Sequence, residues 1–85
     1  MKIYFTQNSI KHQTQKAMLI KMPHSMKEFW MPLSLIYPTA GKYYVCYIPD
    51  NFKVSSAKSH EEIGHADIEE AFEDMAESLT NHRAH

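Results

Sequence analysis

Apolar and polar positions along this chain follow two periods, and the change between them divides it. From Lys16 to Pro23 (KAMLIKMP), Met18, Ile20 and Met22 occupy every second position, the pattern of a half-buried strand. His24-Ser25-Met26-Lys27 reads as a turn, and EFWMPLSLI (28–36) returns as the partner strand. Pro32 has no N–H for a ladder, which puts it at a sheet edge or a bulge. Tyr37-Pro38-Thr39-Ala40-Gly41 reads as a loop. KYYVCYI (42–48) is apolar or aromatic on both faces, as in an interior strand. Pro49-Asp50-Asn51 bends the chain, FKVS resumes extended structure, and the leading KIYFT forms a further short strand.

In the last third the period lengthens. Ile68, Phe72, Met75 and Leu79 fall at i, i+4, i+7 and i+11, one stripe of a helix. Glu69, Glu70, Glu73, Asp74 and Glu77 lie on the opposite side, and acids in the first turns suit the helix dipole. Extended backwards, the stripe puts Ile63 on the wrong face and Glu61 on the buried one. Gly64 also costs about 1 kcal/mol inside a helix. The register therefore breaks near Gly64, and the pattern predicts one helix from about Ala66 to Asn81. Ser59 can cap a separate short turn. The fold expected is α+β. A small curved antiparallel sheet or barrel-like meander of three to five strands spans residues 2–56, packed by one C-terminal amphipathic helix.

A length of 85 residues fits a single domain, and an apolar fraction of 44% fits a globular one. Cys46 is the sole cysteine, so no internal disulfide ties the chain to an oxidising compartment. The start lacks the apolar core of a signal peptide, and no apolar run approaches the roughly 20 residues that cross a bilayer. A soluble, cytoplasmic protein with no membrane partner is expected. Charge sharpens the division. Residues 1–58 carry eight lysines against Glu28 and Asp50, a net +6; residues 59–85 carry eight carboxylates against Arg83, a net −7. A basic β-rich part thus precedes an acidic helical part.

One motif invites a catalytic reading. His60 to Asp67 reads HEEIGHAD, close to the helix of a zinc hydrolase, which needs histidines at i and i+4 with a glutamate between. Here His60 and His65 are five apart, and Glu61 occupies the position of the first ligand. The break near Gly64 keeps the three side chains off one continuous helix, and His12 and His24 stand isolated. Neither a nucleophile–base pair nor a phosphate-binding glycine loop appears. No catalytic residue, metal or cofactor is expected, and the chain does not read as an enzyme.

The strand residues Thr14, Lys16, Ala17 and Leu19, followed by Trp30, Met31, Pro32 and Ser34, form a T-x-K-A strand and a W-aliphatic-P-x-S strand. In this the chain resembles small uncharacterised β-rich proteins of bacteriophages, over roughly residues 13–55. Leu33 departs from the pattern, which has a lysine there. The resemblance implies a compact β-rich unit and a phage origin, and it carries no activity.

Two functional expectations follow. In the first, the protein is a non-enzymatic interaction factor, such as a phage inhibitor of a host nucleic-acid-binding enzyme or defence complex. It would act through the acidic face of Glu69, Glu70, Glu73, Asp74 and Glu77, because spaced carboxylates can occupy a basic groove. In the second, the β-rich part binds single-stranded DNA or RNA, stacking bases on Trp30 and Tyr44 and neutralising phosphates with Lys16, Lys21, Lys42 and Lys53. A homodimer pairing the acidic helix of one chain with the basic sheet of another is a third arrangement. The lysines and spare aromatics discriminate: gathered on one face they favour nucleic acid, scattered they favour the interaction factor.

Overall fold

The computed structural model describes residues 1–77 and is α+β, with eight strands in three antiparallel sheets, none of them closed. The first sheet has the order β1 (Lys2–Thr6), β6 (Tyr43–Tyr47), β5 (Ile36–Pro38). The second is β2 (Ile10–Gln13), β3 (Ala17–Lys21), β4 (Glu28–Pro32). The third is a hairpin of β7 (Val54–Ser55) and β8 (Glu62–Ile63). A bridge between Phe29 and Ser56, with the Ala57 N–H donating to the Glu28 carbonyl at 2.8 Å, ties this hairpin to the free side of β4.

Hydrogen-bond parity explains where two prolines are tolerated. In an antiparallel ladder, facing residues alternate between pairs that exchange both bonds and pairs that exchange none. The Leu33 N–H donates to the Lys16 carbonyl, and the register sets Ala17 opposite Pro32. Pro32 is therefore a non-bonded position, and its missing N–H faces away from β3. Thr39 donates to Tyr43, and Pro38 lies opposite Tyr44, so Pro38 likewise points its missing donor outward.

Both larger sheets turn one face to a shared core. Ile3, Phe5 and Cys46 come from the first sheet; Met18, Ile20, Phe29 and Met31 from the second; Val54 and Ile63 from the hairpin. Gly64, extended at φ −65° and ψ 144°, turns the chain from β8 into α1 (His65–Ala71). Ile68 and Phe72 close the core from the helical side. The Phe72 ring meets Phe5 and Phe29 edge-on, both at 6.3 Å between centroids, and so joins the two sheets.

The structure revises several local expectations. The single meander over 2–56 is divided between sheets, because EFWMPLSLI is not one strand. A 3₁₀ turn at Leu33–Leu35 carries the chain from β4 into β5 of the other sheet. Tyr37 and Pro38, read as loop, form that strand. β2 and the two-residue strands β7 and β8 bring the number beyond five. Ile63, which fitted no helical face, is a buried strand residue. The helix begins at His65, within a residue of the start expected, but it is interrupted at Phe72 (φ −100°, ψ 8°) before residues 73–77 resume helical structure. Met75 packs against the core half-buried, while Leu79 and Asn81 lie outside the described residues.

Candidate interaction surfaces

The acidic residues gather as the helical period requires. With Ile68 and Phe72 turned inward, Glu69, Glu70, Glu73, Asp74 and Glu77 are all exposed. Between α1 and β1 runs an open groove of about 420 Å³. Ile3, Phe72, Ala66 and Ala76 contribute its apolar lining, and Glu69, Glu70 and Glu73 its acidic one, with Lys2 at the margin. Among the described residues no lysine comes within ion-pair distance of a carboxylate. The ion pairs present are the terminal amine with Asp50 at 3.8 Å and the His24 imidazole with Asp74 at 4.0 Å. Among the described residues the basic and acidic parts share a core, and only His24 and Asp74 pair across them.

A second surface is built from tyrosine. On the outer face of the first sheet, Tyr4 and Tyr37 stand opposite Val45, Lys2 opposite Tyr47, and Thr6 opposite Tyr43. Val45 is buried although it points away from the core, because the surrounding rings cover it. Tyr37 and Tyr47 remain 52% and 47% exposed and meet at 5.8 Å, edge to face. The Lys2 Nζ lies 5.7 Å from the centre of the Tyr4 ring. Lys42, exposed in the β5–β6 hairpin, lies near the other end of this face, where it lines a hollow with Thr6, Gln7 and Asn8.

Of the nucleic-acid residues expected from sequence, Trp30 and Lys53 line one groove, and the six do not gather on a single face. Tyr44 belongs to the inner face, where its ring stacks on Phe5 at 5.8 Å. Trp30 is on the outer face of β4, in the other large sheet, 40% exposed and edge-on to His12 at 6.0 Å. Lys53 borders a groove beside Trp30 that includes Phe52, Ser55, Ala57 and His60. Lys21 faces outward opposite Glu28, and Lys16 is exposed just before β3. Tyr37 and Tyr47, which sequence reasoning did not select, are the more exposed rings. Strand parity could have found Tyr47, but KYYVCYI conceals it by being apolar on both faces; Tyr37 was hidden because its stretch reads as a loop.

The HEEIGHAD segment resolves into four local structures. His60 sits in the β7–β8 turn with a left-handed backbone (φ 63°), Glu62 and Ile63 form β8, Gly64 caps, and His65 opens α1. His65 Nε2 lies 2.6 Å from the Phe52 carbonyl oxygen; since a carbonyl only accepts, the imidazole donates and pins the preceding loop. Among the described residues no three His, Cys, Asp or Glu side chains are grouped to hold a metal ion. Cys46 is fully buried, and burial pushes its thiol from an ordinary 9.0 up to about 12, which keeps it protonated and inert.

No helix among the described residues is long and apolar enough to cross a membrane. Comparisons with protein families, curated proteins and solved structures find no match. The fold and surfaces define a small α+β protein with a segregated acidic face.

Proposed function

We propose that this is a non-enzymatic protein-interaction factor whose acidic face docks on a basic partner. The observation that carries the reading is charge separation without pairing to any lysine among the described residues. The lysines are spread over all three sheets and their connections, while Glu69, Glu70, Glu73, Asp74 and Glu77 form one exposed face with no lysine within ion-pair distance among the described residues, Lys2 standing at its margin. Exposed carboxylates that no lysine neutralises cost little in a monomer and steer a positively charged partner, raising its rate of encounter. A surface that binds nucleic acid is such a partner, because spaced carboxylates offer its lysines and arginines what a phosphate chain offers. Inhibition of a host nucleic-acid-binding enzyme or complex fits this chemistry.

Affinity capture from a cell lysate tests the reading, with and without nuclease, using the native protein beside a Glu70→Gln/Glu73→Gln/Glu77→Gln variant. A protein retained by the native chain despite nuclease, and lost by the variant, supports it. Retention that the variant keeps refutes the role of the acidic face.

The tyrosine face favours a second reading, in which single-stranded nucleic acid stacks on Tyr37 and Tyr47 and its phosphates meet Lys2 and Lys42. Stacking on exposed rings tolerates any base. Two lysines supply less charge than such binders commonly use, which ranks this reading second. Retention abolished by nuclease would promote it.

A further inference from the structure

We propose that the open edge of β1 takes up an extended, lysine- or arginine-bearing segment of the partner as a fourth strand of the β1–β6–β5 sheet. This rests on the interaction reading and names how the partner is held.

The argument starts from bond parity. The Met1 amine donates to the Ile48 carbonyl at 2.8 Å, and the Ile48 N–H donates back to the Met1 carbonyl at 2.7 Å. That exchange makes Met1 and Ile48 a bonded pair. With the register Lys2 to Tyr47 and Ile3 to Cys46, Ile3 and Phe5 are then bonded to β6, and Lys2 and Tyr4 are not. The N–H and C=O groups of Lys2 and Tyr4 therefore point away from the sheet. β1 is an edge strand, and no described residue hydrogen-bonds to these groups from that side. Two residues offer two donors and two acceptors in the repeat an incoming strand needs. The opposite edge, β5, is blunted by Pro38, whereas β1 holds neither proline nor bulge.

The chemistry of the occupant follows from the wall beside the edge. The groove of about 420 Å³ lies along the Lys2–Ile3 half of β1, and Glu69, Glu70 and Glu73 line its helical side. A strand laid about 4.8 Å from β1 in the plane of the sheet borders this groove, and its cationic side chains on the helical side meet those carboxylates. A second copy of this chain is a poor occupant. Edge-to-edge pairing of two β1 strands brings together two Lys2 side chains and two acidic walls. A nucleic acid strand is repelled by the same wall.

The test is an NMR titration of the ¹⁵N-labelled protein with an acetylated, amidated seven-residue peptide alternating lysine and valine. Expected are slowed hydrogen exchange and shifted amide signals at Lys2 and Tyr4. The same peptide N-methylated throughout keeps its charge but loses every backbone donor, and should bind at least tenfold more weakly. A Glu69→Gln/Glu70→Gln/Glu73→Gln variant should also lose at least tenfold at low salt. Equal binding of the N-methylated peptide, or shifts that spare Lys2 and Tyr4, overturns strand addition while leaving an acidic docking face intact. No binding of either peptide at low ionic strength also overturns it. A peptide that pairs with the edge, alongside a lysate capture indifferent to the acidic face, would instead refute the functional reading and keep the edge.

Discussion

Replacing Phe72 by alanine should remove the tie between the two large sheets. The side chain is 1% exposed and holds Phe5 on one sheet and Phe29 on the other. An aromatic side chain buries at least about 150 Å², worth roughly 4 kcal/mol at about 25 cal/mol per Å². Phe→Ala changes in cores cost about 3–5 kcal/mol, with lost edge-on contacts at the upper end of that range. A chain of this length has a stability of about 4–13 kcal/mol, so the variant forfeits a large share. Urea unfolding followed by far-ultraviolet circular dichroism measures the loss. Phe72→Leu preserves most of the volume and should cost under about 1.5 kcal/mol, separating the void from the helix itself. A Phe72→Ala variant less than 1.5 kcal/mol weaker than the native protein would refute the bridging role of this ring.

Three further outcomes are expected. Cys46 should resist alkylation at pH 8 until the protein unfolds; because its folded pKa is raised from 9.0 to about 12, stability should also fall as pH rises through that interval, and a native thiol that reacts at the free-cysteine rate contradicts its burial. His65→Ala should cost about 0.5–1.5 kcal/mol through the lost bond to Phe52, read by thermal melting, and no change in melting would show that the loop needs no such tie. If single strands bind the tyrosine face, Tyr47→Ala should lose about 1–3 kcal/mol of oligonucleotide affinity while remaining folded. Neutralising phosphates at Lys2 and Lys42 should then give a log–log salt slope near −1.4, from about 0.7 per phosphate; salt-independent or absent binding removes this reading.

The legible parts of the fold were those with an uninterrupted period. Met18, Ile20 and Met22 announced the inner face of β3 and the residue after it, and Ile68 and Phe72 the inner face of α1 and its C-cap. The break at Gly64 was readable because a strand residue, Ile63, could not join the helical stripe. Parity was lost where both faces are apolar: in Tyr43–Tyr47, a shift of one residue exchanges Tyr44 and Cys46 for Tyr43, Val45 and Tyr47. β2, with Ile10 followed by three polar residues, carries no alternation, and two-residue strands carry no period at all. The turn at Leu33–Leu35 is fixed by the packing of two sheets, which no local pattern expresses. The acidic face was visible as composition, but the lack of any lysine ion pair to it among the described residues depends on tertiary placement.

The role of that face is tested most directly by giving one folded variant two kinds of ligand. In Glu70→Gln/Glu73→Gln/Glu77→Gln all three sites are exposed, so stability should move by less than about 1 kcal/mol. Binding of the native and variant chains to a captured basic partner, and to a single-stranded oligonucleotide, is then compared at low salt. The account predicts at least tenfold weaker partner binding, mainly through slower association. Unchanged partner binding, above all if the oligonucleotide binds more tightly to the variant, contradicts it.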